Sequence, residues 1–513
     1  MSIWADFKNW INDILGKKEY RRYLEKETRK RRIIGQVFAI LNFPCAIFYI
    51  AWCICNANWK CWYAFIPFIV SEICFLIHYF LWVHLLWYKR HHRPEGPRQP
   101  FELTVDVFIT VCHEPVEVIR RTVTAAVNIS YDKKTVFILD DGEDDNVRKL
   151  AEEYNVRYIR RTTHEDRKAG NLNNALAQTS GDLVLTLDAD QVAEPEIIKS
   201  IIGYFSHDKI AFVQTAQRFN LPKNDPWGNS DAVFYKAMQS GKDYDNSAIS
   251  CGNGVMYRRK ALEAIGGYAT WNLVEDLQTS LILHANGWKS IYHDTPLTTG
   301  HAPDDVLSHL KQRWQWAVDS LRLFFWDNPI RHKGLSWRQR LQYLHFGYNY
   351  ISFGVFLPIF FTLPIWALFT HNFILDVPLW KYILARLPYF IVYAIANKAL
   401  TDRLNNFKVF QCQAALFPVY FSATINAIIC KNHLPKYTVT RKTALEHNLG
   451  IRIRKCLPHI IFMILSLAAI FYGVYTIKDD FWFLLVNIFW CLWTISTLSR
   501  FFILSFWPKA LIR

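Results

Sequence analysis

The sequence predicts an α/β cytosolic domain embedded in an all-α transmembrane domain of about six spans with interfacial helices. Three observations carry this prediction. Apolar runs of bilayer length bracket the middle of the chain. That middle, residues 94–340, mixes polar and apolar residues, and its short β-rich runs end in acidic turns. Lys and Arg crowd against the ends of the apolar runs, as membrane topology requires.

Composition agrees. Of 513 residues, 51% are hydrophobic and 16% aromatic, with 37 Phe, 25 Tyr and 20 Trp, an aromatic load beyond that of a soluble enzyme. The formal charge of +15 lies beside apolar runs and builds no basic recognition face, which argues against a nucleic-acid partner. The 11 cysteines form no pair of CxxC elements, so no zinc site is expected. The first apolar run follows about 30 residues rich in charge, so no secretory signal is expected either.

Taken in order, residues 1–32 form a basic amphipathic helix ending in Arg29-Lys30-Arg31-Arg32. Residues 33–93 hold two transmembrane helices, 94–300 the cytosolic α/β domain and 301–342 interfacial helices. Two more spans occupy 343–398 and two occupy 457–513, with an interfacial helix and a basic loop at 399–456. The run at 408–430 contains Gln411, Gln413, Ser422, Thr424 and Asn426, and is therefore placed along the membrane surface. Six spans put both termini on one side. Connectors on the far side carry one lysine each (Lys60, Lys381, Lys478), whereas nine Lys or Arg lie between Lys17 and Arg32, so the catalytic domain and both termini are expected in the cytosol. Glu72 falls midway along the second span, where an ionisable group faces a polar path or a partner; it is a candidate for lining a channel.

Inside the α/β domain, Val105–Val111, Thr135–Leu139 and Leu183–Leu187 read as strands. The second ends at Asp140-Asp141-Gly142 and the third at Asp188-Ala189-Asp190, and the carboxyl ends of such strands are where α/β sheets bind ligands. Two carboxylates on alternate residues suit one hard divalent cation, although a lone pair of this kind is also a solvated turn. Lys168-Ala169-Gly170-Asn171 opens a helix, and a helix N-terminus beside a lysine suits a diphosphate. Glu275-Asp276 opens another helix, where an acid also favours the dipole. Gln312-Arg313-Trp314-Gln315-Trp316 brings indoles that stack on sugar rings or anchor at a membrane.

Together these segments resemble the processive family 2 glycosyltransferases, a group that includes cellulose, chitin and hyaluronan synthases. Thr110-Val111-Cys112-His113-Glu114-Pro115 is similar to the family's first nucleotide-binding turn. Asp140-Asp141-Gly142, Lys168-Ala169-Gly170-Asn171 and Asp188-Ala189-Asp190 match its next three motifs, and Gln214-Thr215 a donor-pocket strand. Ser250-Cys251-Gly252-Asn253 resembles the FFCGS acceptor loop, and Glu275-Asp276 the end of the TED motif. Tyr437-Thr438-Val439-Thr440-Arg441-Lys442 resembles the FxVTxK gating loop of the cellulose synthase-like branch.

The resemblance implies a GT-A type domain and a hexosyltransferase that polymerises a β-glucan from UDP-glucose and passes it through its own membrane channel. Polymers of amino sugars (chitin, poly-N-acetylglucosamine or hyaluronan) and transfer to a lipid carrier are the alternatives. It implies Mg²⁺ or Mn²⁺ on Asp188 and Asp190, with Asp276 as base beside Glu275. Thr110, Glu114, Asp140, Asp141, Lys168, Gln214, Thr440 and Lys442 would hold the UDP-sugar donor, and Cys251, Gly252, Gln312 and Trp316 the polysaccharide acceptor. One base and no opposing carboxylate imply inversion. Gln315 stands where relatives carry an arginine that contacts the diphosphate, and Arg313 is the candidate replacement. The partners implied are membrane lipid, the donor and the growing polysaccharide, at the plasma membrane. No cyclic di-GMP domain is expected, since the chain stops soon after its last apolar run.

Overall fold

The computed structural model describes residues 3–89, 102–221, 227–273, 275–303, 306–402, 404, 406–431 and 449–506, with side chains from 27 onward except those of Leu449 and Leu504. Tyr437–Lys442, including Thr440 and Lys442, lies outside the described residues.

Among the described residues, eight strands form one mixed sheet: β1 Val105–Val111, β2 Lys134–Asp140, β3 Arg157–Arg160, β4 Leu183–Asp188, β5 Val192–Ala193, β6 Ile210–Asn220, β7 Val255–Arg258 and β8 Lys289–His301. Their order is β3-β2-β1-β4-β7-β6-β8-β5. The half from β3 to β4 is parallel, and its strands are apolar because helices cover both faces. β7 runs antiparallel to both β4 and β6 and so reverses the sheet beside β4. Register positions the chemistry: Thr110 pairs with Asp188 and Val111 with Asp140, so three strands end level at one edge.

Among the described residues, six helices are long and apolar enough to cross a membrane: Glu27–Cys55, Trp59–Trp87, Trp337–Thr370, Leu379–Leu400, Gly450–Thr476 and Phe481–Ile503. The run at 408–430 is a broken pair, Asn406–Ala415 and Phe417–Ile429, bent by 53°. Pro418, in the first turn of the second piece, contributes no N–H there and fits a new start.

The chain divides into two compact units, residues 1–76 with 373–407 and residues 77–372 with 408–513. In the first, Glu72 is 2% exposed and paired with Arg386, 314 residues away. The Arg386 guanidinium stacks over Tyr49, Tyr389 and Phe390. The channel role assigned to Glu72 is thereby corrected. A carboxylate in an apolar bundle takes the nearest cation, and this pair closes a helix interface.

Candidate active site

The second unit contains the sheet edge, where carboxylates converge on one ammonium. Lys168 Nζ donates to Asp188 Oδ1 at 2.7 Å and to Gly252 O at 2.8 Å, and lies 3.3 Å from Glu275 Oε1. Burial disfavours its charge, but Asp188, Glu275 and Asp276 outweigh that and hold its pKa above the ordinary lysine value. Thr110 Oγ1 reaches Asp188 at 3.5 Å, and Asp190 accepts from the His301 N–H at 3.3 Å. Glu114 accepts from the Cys112 N–H at 2.6 Å. Burial pushes the Glu114 carboxyl up to about 7, with help from Asp188 and Asp190.

Glu275 and Asp276 enter from the helix Asp276–Ala285. Glu275 is 2% exposed, and its Oε2 has no hydrogen-bond partner among the described residues. Burial, then the Glu275 carboxylate, pushes Asp276 up to about 7; the Leu277 N–H and Lys168 oppose the shift. A carboxyl poised near neutrality is suited to accepting a proton.

Gly252 closes the cluster. Its φ is +67°, and a Cβ there would lie 3.0 Å from Glu275 Oε1, 3.1 Å from Lys168 Nζ and 3.5 Å from Asp276 Oδ2. Gly252→Ala should cost about 1–3 kcal/mol in backbone strain. By displacing the acid pair it should reduce turnover about 10²-fold. Denaturation and UDP-release assays on the purified protein measure the two effects.

Several residues expected at the donor are committed elsewhere. Asp140 is 0% exposed and accepts from the N–H groups of Gly142 and Asp144 and from Tyr158 OH, so it shapes the turn. Asp141 takes a bidentate bond from Arg161 at 2.6 and 2.7 Å and another from His164 at 2.9 Å. Burial would raise its pKa, but those partners hold it below the usual value. Gln214 is buried, accepts from the Cys251 N–H at 2.7 Å and donates to Asn253 O at 3.0 Å. Both ends of its amide thus brace the loop at residues 251–253.

Arg313 is corrected as well. It lies on the regular helix Val306–Phe325 and makes two bonds to Asp231, at 2.8 and 3.0 Å. Its guanidinium covers one face of Trp316, 4.7 Å from the ring centre. A cation held this way orients an indole, and its charge is already met by Asp231. Gln312 is partly exposed on the same helix. Burial raises the Cys251 thiol pKa and so favours the neutral thiol; its Sγ accepts from Gln239 at 3.7 Å.

Sequence reading gave no role to Asn253, whose Oδ1 accepts from the Asp188 N–H at 3.0 Å, or to Arg161. Asn253 follows the recognised Cys251-Gly252 and was open to notice; Arg161 lies in no motif.

Among the described residues, no three His, Cys, Asp or Glu are grouped so that they could hold a metal ion by themselves. Asp188 and Asp190 at the end of β4 still offer the oxygen donors that a hard divalent cation takes, with the remaining ligands left to substrate or water. Asp188, Glu275 and Asp276 face Lys168, Glu114 lies near Asp188 and Asp190, and Asp188 is still partly open to solvent.

A mixed sheet with an Asp-x-Asp turn at its edge, joined to membrane-length helices, defines a GT-A type membrane glycosyltransferase. Residues 106–266 match glycosyl transferase family 2 and residues 263–403 match cellulose synthase. The chain belongs to the cellulose synthase-like branch of the family 2 glycosyltransferases. It is 33% identical over 398 residues to the UDP-forming cellulose synthase 1 catalytic subunit of Komagataeibacter xylinus, covering 74% of this chain and 53% of that one. It is 36% identical over 261 residues to the UDP-forming cellulose synthase catalytic subunit of Xanthomonas axonopodis pv. citri, covering 48% and 36%. The chain thus spans about half the length of the first of these relatives and less of the second. A mannosyltransferase from Pyrobaculum calidifontis, solved with GDP-Man and Mn²⁺, is similar at 15% identity and a TM-score of 0.47, over 78% of this chain and 99% of that one.

Proposed function

We propose that the chain is a processive, inverting synthase that extends a β-glucan from UDP-glucose on the cytosolic face of the plasma membrane and passes it through its own spans. The observation that carries the chemistry is the Glu275–Asp276 pair, with Glu275 buried and Asp276 half-buried, set against Lys168 and Asp188 and faced by Gly252. The acceptor hydroxyl oxygen bonds to the anomeric carbon of the donor, Asp276 takes its proton, and the bond from that carbon to UDP breaks with inversion. Asp188 and Asp190 would hold Mg²⁺ or Mn²⁺, which supplies charge compensation for the departing diphosphate. Trp316, with one face covered by Arg313, offers its other face to the acceptor sugar. Relatives named as UDP-forming cellulose synthases favour glucose over an amino sugar.

The test is incorporation from a panel of radiolabelled UDP-sugars by the reconstituted protein, with and without added Mn²⁺ or Mg²⁺. UDP-glucose should give a metal-dependent polymer that a β-glucanase degrades. Polymer from UDP-N-acetylglucosamine alone would replace glucose with the amino-sugar reading.

A further inference from the structure

We infer that Arg322 is a positioning residue that ties the loop before the acid pair to the end of the bent helix pair. The inference rests on the reading of Glu275–Asp276 as the reacting acids. Arg322 lies on the helix Val306–Phe325, is 1% exposed and belongs to none of the recognised motifs. Its Nη1 donates to Trp271 O at 2.8 Å and to Asn272 Oδ1 at 3.2 Å. On the other side, Nε donates to Cys430 O and Nη2 to Lys431 O, each at 3.2 Å. The guanidinium also stacks 4.1 Å from the Trp271 ring centre.

Those partners belong to two structures that need an external donor. Cys430 and Lys431 follow the helix Phe417–Ile429, whose last carbonyls have no partner within the helix. Trp326, four residues on from Arg322, supplies another donor there through Nε1 to Ala427 O at 2.8 Å. Trp271 and Asn272 lie four and three residues ahead of Glu275, in a loop with no ladder of its own. Asp319, one turn before Arg322, accepts from the Leu273 N–H at 2.8 Å and pins the same loop. Only a planar fork with donors on both sides can join these groups; a lysine ammonium is a single point. The bent pair and the acid loop therefore share one side chain.

Arg322→Gln, Arg322→Lys and Trp326→Phe are compared with the wild type in the full-length reconstituted protein, by UDP release and by hydrogen exchange over residues 271–276. Arg322→Gln should lower kcat about 10²-fold, as small misplacements of reacting groups do, while the donor KM stays near wild type. Exchange in the loop should rise. Arg322→Lys should recover part of kcat, and Trp326→Phe, which removes one helix-end bond, should keep it. If Arg322→Gln does not fold, Arg322→Lys carries the comparison: reduced kcat at unchanged KM supports the inference, and wild-type kcat overturns it. A loss of kcat that only follows the fraction of folded protein also overturns it. Normal turnover by Asp276→Asn would instead remove the acid-pair reading beneath it, a separate failure.

Discussion

Asp276→Asn should abolish polymerisation while UDP still binds. An amide cannot take the acceptor proton, and loss of a general base costs about 10²–10⁴-fold in rate. The side chain is nearly unchanged in volume, and its contact with the Leu277 N–H can persist through the amide oxygen. Calorimetry with UDP and a UDP-release assay separate the two effects; near-normal turnover by the purified variant would remove Asp276 from the role of base. The wild type carries a matching signature. Because burial and Glu275 push Asp276 up to about 7, the carboxyl is protonated below that pH and cannot accept a proton. The profile of kcat/KM should therefore fall on its acid side with a midpoint near 7, well above an ordinary aspartate.

Much of this site was legible in the sequence because it follows from strand ends. An apolar run closing on Asp188-Ala189-Asp190 places carboxylates at a sheet edge whatever surrounds it, and the parallel register of β1, β2 and β4 then aligns Thr110, Asp140 and Asp188. The six apolar helices were legible for the same local reason. What sequence could not disclose is which polar groups are already satisfied. Asp140 and Asp188 both close strands, yet Asp140 is buried under its own turn and Tyr158, whereas Asp188 faces Lys168. Arg313 and Asp231 lie 82 residues apart, and Glu72 and Arg386 lie 314 apart. Neither pairing leaves a periodic trace. A buried charge takes whichever opposite charge the fold brings near, and that choice is tertiary.

Lys168→Ala should be as damaging as removal of the base, for a reason that differs from the one its motif suggests. A lysine at a helix start reads as a clamp for diphosphate, but this ammonium already donates to Asp188 and the Gly252 carbonyl and pairs with Glu275 at 3.3 Å. Removing it leaves Glu275 buried without a cation. Breaking a fully buried pair in this way costs about 3–5 kcal/mol. The cost here is smaller, because Asp188 is partly open to water. Turnover should fall about 10²–10³-fold as the acid pair and the Asp188 turn separate. The residual activity distinguishes the two accounts. Lys168 favours the charged form of Asp276, so its loss must raise the Asp276 pKa and carry the acid limb of kcat/KM above its wild-type position. A lysine serving only the diphosphate would weaken UDP binding and leave that limb in place. Arg313→Ala is the control: with its charge held by Asp231, its removal should spare UDP affinity and the acid limb alike and affect only elongation, through the loosened Trp316. An acid limb that stays fixed in Lys168→Ala, with UDP affinity reduced, would return the lysine to the donor.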